Sequence, residues 1–395
     1  MASIFPRRGL AALLALTALS GCSSDQLDDA LWGVYFVKLD ADPAEVVGLV
    51  SEVSSELNLD VLQIYDSASE GFSVRLPRLL VPELEQVSGV ELVVEDKERN
   101  YVVPEDPDSD FEYGDDEVPD SIFRIGGPYQ GAADLGDIAV AIIDTGIDAS
   151  HTDLNVVGEV DVVCESWDDC AAGSDPNGHG THVAGTVGAI ADSNGVAGVA
   201  PGVKLHAVRV LGSDGSGYYS DIIAGIEYVL ENPEIRVVNM SLGGGMSSAT
   251  DPLAEAIERL IDSGVIVCIA AGNESQDTAN VSPAGYDLGV VVSAYDASNS
   301  DLGFAWFSNY GDEVDIAAPG VSIYSTWPGG GYEALDGTSM ATPHVAGAAA
   351  LYLAEDASRT PDQFRDDLIS SGENGYYDQG GDHPEPLLSL TGLLQ

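Results

Sequence analysis

The sequence predicts an α/β fold with a mainly parallel sheet, preceded by a small ferredoxin-like α+β domain. From residue 122 onward, short apolar runs alternate with longer segments whose apolar residues recur at helical spacing. That alternation is typical of parallel strands joined by helices. Before residue 101, strands and helices are predicted in the order β-α-β-β-α-β, which is the ferredoxin-like pattern. We therefore expect two folded domains in this chain.

Residues 1–21 have the features of a targeting segment. Two arginines are followed by an apolar stretch, residues 10–19, that is too short for an ordinary membrane span. Residues 19–22, Leu-Ser-Gly-Cys, resemble a bacterial lipobox, in which the peptidase cuts before the cysteine and the thiol is lipidated. We expect export and a lipid anchor at Cys22, on the bacterial membrane or cell surface. The alternative is an ordinary signal peptide with a chance cysteine.

Residues 31–100 form the predicted ferredoxin-like domain, and residues 101–120 form an acidic linker. The domain combines strand-like alternation with apolar residues at helical spacing. Strands are predicted at residues 32–39, 61–65, 71–76 and 90–94, and helices at residues 43–57 and 81–87. The linker is rich in proline, aspartate and glutamate and poor in apolar residues, as exposed connecting segments are.

Residues 121–375 form the predicted α/β domain, and residues 376–395 form a C-terminal tail. Strands are predicted at residues 137–143, 156–163, 204–210, 236–241, 265–270, 289–293 and 315–319. Helices are predicted at residues 179–189, 220–232, 252–263, 339–355 and 361–370. In folds of this kind, functional residues lie at the carboxyl ends of strands and at helix N-termini.

The composition is strongly acidic. The chain has 66 acidic and 14 basic residues, for a formal net charge of −52. We expect no nucleic-acid binding, because a phosphate-binding surface needs a basic patch. A hydrophobic content of 45% argues for a packed protein rather than a disordered one. The acidic surface fits a halophilic source, divalent-cation binding or simple solubility, and the sequence leaves these alternatives open.

Three stretches of the α/β domain carry an aspartate, a histidine and a serine at predicted element ends. The apolar run 140–143 ends in Asp144, as a buried parallel strand with a carboxylate at its carboxyl end would. His179 stands between glycines at the start of one apolar helix, and Ser339 follows a glycine-bearing turn at the start of another. The free amides of a helix N-terminus favour the negative charge that forms when a serine attacks a carbonyl. These residues supply a nucleophile, a general base and an acid that orients the base.

The same motifs resemble the signatures of the subtilisin-like serine proteases, or subtilases, in the order Asp, His, Ser. They are Asp-Thr-Gly from Asp144, His-Gly-Thr-His from His179 and Gly-Thr-Ser-Met-Ala-Thr-Pro-His around Ser339. The resemblance covers roughly residues 121–375. It implies a three-layer sandwich and a serine endopeptidase that forms an acyl-enzyme on protein or peptide substrates. It also makes His179 the base and His182 a structural residue; from the residues alone, His182 stays an alternative base.

The resemblance extends to residues around the expected catalytic centre. Asn273 follows a buried strand and a glycine turn, and it matches the family's oxyanion asparagine. Glu274 would lie at the rim of the first specificity pocket, where a carboxylate favours basic side chains; a solvated surface acid is the alternative. Two glycine-containing segments resemble those that flank the bound peptide. They consist of Ser216 and Gly217, and of Ser241, Leu242 and Gly243.

A loop after the His179 helix resembles a structural calcium site of the family. Asp153 and Asp192 would supply side-chain oxygens, although Asp192 stands where we expect an amide in the family. Main-chain carbonyls would complete the shell. They belong to Ile190, Asn194 and Val196. No organic cofactor is expected.

The ferredoxin-like domain resembles the inhibitory propeptide that precedes many subtilase domains. We therefore expect a self-inhibited precursor that cuts itself in or near residues 101–120, with its own propeptide as inhibitor and a monomeric mature enzyme. A separate ligand-binding module is the alternative for the small domain. Two rival functions for the whole chain are an inactive, lipid-anchored peptide-binding protein and an acyl hydrolase that is not a protease.

The chain has four cysteines, of which one is assigned to the lipid anchor. Cys164 and Cys170 bracket an acidic loop, and in an exported protein we expect them to form a small disulfide loop. A metal site is the alternative, although no histidine lies nearby in the sequence. Cys268 lies in a predicted buried strand, where we expect an inert apolar residue.

Overall fold

The structure of the protein is a computed structural model that describes ten stretches of the chain. These are residues 31–57, 59–96, 99–100, 118–128, 135–163, 174–192, 194–245, 251–298, 303–374 and 384–394. The predicted lipidation site Cys22, the cysteines Cys164 and Cys170, and nearly all of the acidic linker lie outside the described residues. The chain divides into two units. They comprise Met1–Asp66 with Glu70–Lys97, and Ser67–Ser69 with Glu98–Gln395.

The smaller unit is a four-stranded antiparallel sheet with helices packed against it. Its elements are β1 (Trp32–Leu39), α1 (Val46–Leu57), β2 (Asp60–Tyr65), β3 (Gly71–Pro77), α2 (Val81–Leu84) and β4 (Val90–Asp96). The strands lie in the order β2-β3-β1-β4. Val46, Val50 and Val53 recur at helical spacing and share one buried core with Phe72 and Val74 of β3. The element order is the one that the sequence predicts.

The larger unit is built around one parallel sheet of seven strands. Its strands are β5 (Arg99–Asn100), β6 (Ala139–Asp144), β7 (Val156–Asp161), β8 (Lys204–Arg209), β9 (Ser216–Gly217), β10 (Ile235–Met240), β11 (Gly244–Gly245), β12 (Ile266–Ala270), β13 (Val281–Ser282), β14 (Val290–Tyr295), β15 (Ile316–Pro319), β16 (Ile323–Trp327) and β17 (Gly331–Leu335). Its helices are α3 (Asp120–Arg124), α4 (His179–Gly188), α5 (Tyr219–Glu231), α6 (Pro252–Asp262), α7 (Thr338–Glu355), α8 (Pro361–Ser371) and α9 (Leu390–Leu393). The seven sheet strands lie in the order β15-β14-β12-β10-β6-β8-β7. All seven were predicted from the sequence.

The sequence explains why the sheet and the central helix are buried. β6, β12 and β14 are mostly apolar and all of their residues are buried, as expected for parallel strands covered on both faces. Helix α7 is buried along almost its whole length, which its all-round apolar sequence favours. Gly347 lets α7 approach its neighbours closely, because a Cβ there would lie 2.5 Å from Val199 Cβ. Helix α4 packs against the same helix.

Two features of the larger unit were not anticipated from the sequence. β16 and β17 form an antiparallel hairpin. The predicted C-terminal tail also contributes to the core, because Leu387, Leu388, Leu390 and Leu393 are buried. Leu387 additionally forms a bridge to Ala317 of β15. In the described part of the chain, no helix is both long and apolar enough to cross a membrane.

Candidate active site

The carboxyl end of β6 meets the N-terminus of α4, and this contact brings Asp144 and His179 together. His179 Nδ1 lies 2.8 Å from Asp144 Oδ1 and 2.9 Å from Oδ2. Both side chains are buried. Gly180 makes the approach possible, because a Cβ at this position would lie 2.1 Å from Gly146 O.

This contact determines which nitrogen of the His179 ring carries the proton. A carboxylate only accepts hydrogen bonds, so Nδ1 must donate, and a neutral ring then has its lone pair on Nε2. His179 Nε2 is buried and has no hydrogen-bond partner among the described residues. A buried nitrogen of this kind is suited to accept a proton from a group within the site.

Asp175, which the sequence analysis missed, holds this junction together. Its buried carboxylate accepts hydrogen bonds from Thr145 Oγ1 at 2.9 Å and from Gly178 N at 2.8 Å. It also accepts from Thr181 N at 2.8 Å and Thr181 Oγ1 at 2.7 Å. One side chain therefore connects the end of β6 to the first turn of α4. An aspartate just before a predicted helix start was the available signal, since capping residues of this type occur there.

Ser339 is the second residue of α7, where backbone amides have no intrahelical partner. Ser241, after the end of β10, holds it in place. Ser241 Oγ donates to Ser339 O at 2.7 Å, and Ser339 Oγ donates to Ser241 O at 3.3 Å. Asn239 Nδ2 in turn donates to Ser241 Oγ at 2.9 Å. The side chains of Ser241 and Leu242 are buried, so a peptide beside them would meet their backbone.

Asn273 and the N-terminus of α7 border one small space. Asn273 Oδ1 accepts hydrogen bonds from Thr338 N at 2.8 Å and from Thr338 Oγ1 at 2.9 Å. The amide nitrogen Nδ2 is at the other end of the group. A Cβ at Gly337 would lie 3.6 Å from Asn273 Nδ2 and 3.6 Å from Ser339 N. Because Gly337 has no side chain, the space between these two donors stays open, as an oxyanion hole requires.

Two further buried histidines have their donors engaged in structural bonds. His182, the alternative base, hydrogen-bonds through Nε2 to two carbonyls of the β16–β17 hairpin, at 2.8 and 3.1 Å. Burial lowers the pKa of His182 to about 3, so its ring is uncharged. His344 Nδ1 donates to Met340 O at 2.9 Å, and burial lowers the pKa of His344 to about 4. Within the described part of the chain, His182 Nε2 is engaged in hydrogen bonds, whereas His179 Nε2 has no partner.

The predicted peptide-flanking segment Ser216–Gly217 is strand β9, and its backbone pairs with β5. Arg99 lies opposite Gly217 and Asn100 lies opposite Ser216, in an antiparallel arrangement. β5 comes directly before the acidic linker in the sequence. A segment of the chain itself thus lies along the edge where the sequence predicts that a peptide adds as a strand.

Glu274, the predicted rim residue, is exposed and follows Asn273 directly. Its Oε2 accepts a hydrogen bond from Asn309 Nδ2 at 2.8 Å. Asn309 is fully buried, and the sequence analysis did not single it out. Cys268, in β12, is a free buried thiol whose pKa is raised by burial, as expected of an inert position.

The predicted calcium ligands lie together around the loop that follows α4. Asp153 is buried, and its Oδ2 accepts hydrogen bonds from Val196 N at 3.0 Å and Tyr332 Oη at 3.1 Å. Burial raises the pKa of Asp153, and the charge of Asp192 also raises it. Asp192 Oδ1 accepts from Asn194 N at 3.1 Å. Among the described residues, no group of three or more His, Cys, Asp or Glu side chains could hold a metal ion, so a cation here would also need main-chain oxygens.

Comparison with known proteins identifies the family. Residues 136–384 match the Peptidase_S8 model, which is described as the subtilase family. The chain belongs to the subtilase family. Subtilisin DY of Bacillus licheniformis is 47% identical over 261 residues, which cover 64% of this chain and 89% of the relative. The extracellular serine proteinase of Thermus sp. (strain Rt41A) is 34% identical over 422 residues, covering 98% of this chain and 99% of the relative.

A solved structure supports the same assignment. The crystal structure of a cold adapted subtilisin-like serine proteinase matches this subtilase with a TM-score of 0.58 and 39% sequence identity. The match covers 69% of this chain and 98% of that chain. The predicted subtilisin-like α/β fold is therefore confirmed. Family and relatives together make the protein a subtilisin-like serine endopeptidase.

Because this subtilase buries neutral histidines, we expect its free energy of unfolding to fall in mild acid. An unfolded histidine titrates near 6.5, whereas the folded-state pKa values of His182 and His344 are about 3 and about 4. Below about pH 6.5 the unfolded state therefore binds protons that the folded state does not. Each site then lowers the free energy of unfolding by up to about 1.4 kcal/mol per pH unit. His206, whose pKa is also lowered by burial, acts in the same direction.

The measurement is the denaturant midpoint of unfolding of Ser339→Ala protein, taken at several pH values between about 7 and 5. This pH range lies above the one in which most exposed carboxylates titrate. His344→Gln removes one of the titrating groups. We expect its stability to fall less steeply with pH, by the equivalent of about one proton. An identical pH slope in the parent and in His344→Gln would contradict this explanation.

Proposed function

We propose that this subtilase is an exported endopeptidase that cleaves peptide bonds with Ser339 as nucleophile, His179 as general base and Asp144 as the acid that orients the base. The observation that carries the proposal is the hydrogen bond between His179 Nδ1 and Asp144, which leaves His179 Nε2 buried and without a partner among the residues that the structure describes. Such a nitrogen has the position and tautomer that a base for a serine hydroxyl requires.

In the first step, the Ser339 oxygen bonds to the carbonyl carbon of the scissile peptide bond and passes its proton to His179 Nε2. The carbonyl oxygen takes up the displaced electron pair and becomes an oxyanion. Asn273 Nδ2 and the Ser339 backbone N–H would donate to this oxygen in the space beside Gly337. Asp144 keeps its hydrogen bond to His179 Nδ1 and stabilises the imidazolium that forms.

In the second step, the His179 imidazolium gives its proton to the leaving nitrogen as the carbon–nitrogen bond breaks. The acyl group remains as an ester on Ser339. A water molecule then repeats the sequence with the same base, releases the acid product and restores the hydroxyl.

We also propose that the smaller unit is an inhibitory propeptide. Two observations support this. Its β-α-β-β-α-β element order directly precedes the protease. The backbone of Arg99–Asn100 pairs with Ser216–Gly217, so the segment before the linker occupies a strand edge that a substrate would need. A cut within or near residues 101–120 would free that edge once the segment dissociates.

Export and lipid anchoring rest on the sequence of residues 1–22. The basic start, the apolar stretch and the lipobox-like Leu-Ser-Gly-Cys support a lipoprotein signal with Cys22 as the lipidated residue. The full-length similarity to an extracellular serine proteinase supports export. We propose that the precursor is anchored through Cys22 and that processing in the linker releases the mature domain.

A structural calcium ion is the one metal that we propose. The donor set suits a hard cation, because all of its donors are oxygens. The charge of Asp192 raises the pKa of Asp153, so the two carboxylates lie close enough to interact. Carbonyl oxygens of Ile190, Asn194 and Val196 would complete the shell. Bound calcium would neutralise the two carboxylates and hold this loop in place.

The nucleophile is tested by Ser339→Ala. This change removes one hydroxyl with little effect on packing, so we expect a folded precursor that is neither processed nor labelled by a fluorophosphonate. Wild-type protein should be labelled at Ser339, cleave casein and show a new N-terminus in or near residues 101–120. Ser263→Ala, which removes a hydroxyl that bonds Leu260 O at the end of α6, is the matched control and should process normally.

Three results would contradict this function. Mature product from pure Ser339→Ala protein would exclude processing by the chain itself. Failure of the fluorophosphonate to label wild-type protein would favour an inactive peptide-binding protein. Cleavage of an ester substrate without cleavage of casein would indicate an acyl hydrolase that is not a protease.

The calcium site is tested by thermal inactivation of the mature enzyme with calcium or with chelator. A specific site stabilises by mass action, so the half-life should rise with the logarithm of calcium concentration above the dissociation constant. Asp192→Ala should largely abolish that rise. Asp356→Ala is the matched control, since Asp356 is an exposed acid that bonds its own turn at Ser358 N in the same way. Equal half-lives in calcium and in chelator would rule out the site.

A further inference from the structure

The loop that carries Asn273 has no regular secondary structure and depends on neighbouring segments for its shape. It spans residues 271–276 after β12. Gly272 turns the chain with a φ of 100°, a conformation that favours glycine. The position of Asn273 Nδ2, and with it one side of the proposed oxyanion hole, is set by this loop together with the hydrogen bonds that Asn273 Oδ1 accepts from Thr338.

Asn309 makes five hydrogen bonds to the loop. Its Nδ2 donates to Ala271 O at 2.9 Å and to Glu274 Oε2 at 2.8 Å. Its Oδ1 accepts from Glu274 N and Gln276 N, both at 3.0 Å. Its backbone N–H donates to Gly272 O at 2.9 Å. A primary amide has two donor hydrogens and two acceptor lone pairs, so this buried side chain uses its full bonding capacity on one loop.

We propose that Asn309 is a positioning residue for the reaction: it holds Asn273 where its Nδ2 meets the oxyanion, and it orients the Glu274 carboxylate at the rim of the first specificity pocket. The inference deepens the proposed function and rests on it. Asn309 does not contact the reacting atoms. It acts through the residues on either side of Asn273. Its backbone N–H donates to Gly272 O, and its side-chain Oδ1 accepts from Glu274 N.

An amide is the side chain that fits this position. A Cβ at Gly272 would lie 2.3 Å from Asn309 Nδ2, so the loop and the amide are in close contact. An ionised aspartate has the same shape but would present an acceptor to two acceptors, Ala271 O and Glu274 Oε2, and would repel both. A serine has one donor and a shorter reach, so it leaves loop groups unpaired.

The bond to Glu274 gives Asn309 a second role, in specificity. An exposed glutamate side chain normally samples several rotamers. Here one carboxylate oxygen is held by Asn309 and lies over Gly272, where a Cβ would be 2.9 Å from it. A carboxylate fixed beside the oxyanion loop favours a substrate with Lys or Arg before the scissile bond. That preference then depends on Asn309 as well as on Glu274.

The first experiment compares Asn309→Asp with wild type on two peptides that differ only in having Lys or Phe before the cleaved bond. Rates are normalised to active sites titrated with a fluorophosphonate. At about pH 8 we expect kcat on the Phe peptide to fall about 10- to 100-fold with KM nearly unchanged, the size of effect that a displacement of about 1 Å produces. We expect the preference for the Lys peptide to fall by a similar factor in Asn309→Asp and in Glu274→Gln.

Two further readouts separate positioning from a purely structural role. Protonation of the introduced carboxyl restores a donor, so the ratio of variant to wild-type kcat should rise as the pH is lowered toward about 5. In the double variant Asn309→Asp with Glu274→Gln, the new amide donates to the new carboxylate. Its kcat at about pH 8 should therefore exceed that of Asn309→Asp alone.

A double-mutant cycle identifies the donor through which Asn309 acts. Asn273→Ala alone should lower kcat about 10²–10³-fold, the size measured for such a donor in a subtilisin. In that background Asn309→Asp should cost less than about threefold more, because the donor that it positions is already absent. Asn232→Asp is the matched control. Its amide bonds Tyr228 O at 2.6 Å at the end of α5, and kcat should not change.

The outcomes are distinguishable. An equal loss of kcat in the wild-type and Asn273→Ala backgrounds, or a kcat ratio that does not vary with pH, would overturn the role of Asn309 and leave the protease intact. A wild-type protein without label and without cleavage would overturn the proposed function and the inference together. If Asn309→Asp does not fold, the same cycle is run with Asn309→Ser. Serine leaves loop groups unpaired and should lower kcat in the wild-type background, and this loss should vanish in the Asn273→Ala background because the positioned donor is absent there.

Discussion

The hydrogen bond between Asp144 and His179 is the constraint on which the rest of the site depends. Both side chains are buried, so water contributes little to their hydrogen bonding and the carboxylate and the ring must bond to each other. That meeting requires β6 to end at the N-terminus of α4, and Gly180 to leave room for the loop after β6. β6 is an interior strand of the sheet, between β10 and β8, and α4 packs against α7.

The ends of secondary-structure elements carry the proposed chemistry, and buried polar side chains hold those ends in place. Asp175 connects the end of β6 to the start of α4. Ser241 connects the end of β10 to the start of α7. Asn309 connects its own segment to the loop after β12. Loss of any of these three side chains would leave polar groups of the neighbouring elements without their hydrogen-bond partners, so each position is sensitive to substitution.

The sequence was informative where one pattern determines one structure. The alternation of apolar strand-like segments with helical segments predicted all seven strands of the parallel sheet. An apolar run that ends in Asp144, and glycine-containing motifs around His179 and Ser339, predicted that these three residues lie at element ends. Asn309 was missed because its role depends on contacts with residues distant in the sequence, whereas Asp175 carried a local signal, an aspartate shortly before a predicted helix start. Asn309 bonds a loop more than thirty residues earlier, and no local pattern marks that contact. The burial of Leu387 and Leu390 was missed for the same reason, since a short leucine-containing terminus has no periodicity.

The central claim is that Asp144 fixes the proton of His179 on Nδ1 and leaves Nε2 as the base. The most direct measurement is nitrogen NMR of the histidine rings in Ser339→Ala protein labelled with 15N-histidine. The chain has six histidines, and a spectrum of His179→Gln identifies the ring concerned. Our account predicts, at neutral pH, a protonated Nδ1 and an unprotonated Nε2 for His179, with that tautomer lost in Asp144→Asn. A proton on His179 Nε2 in the parent protein, or the same tautomer in Asp144→Asn, would contradict it.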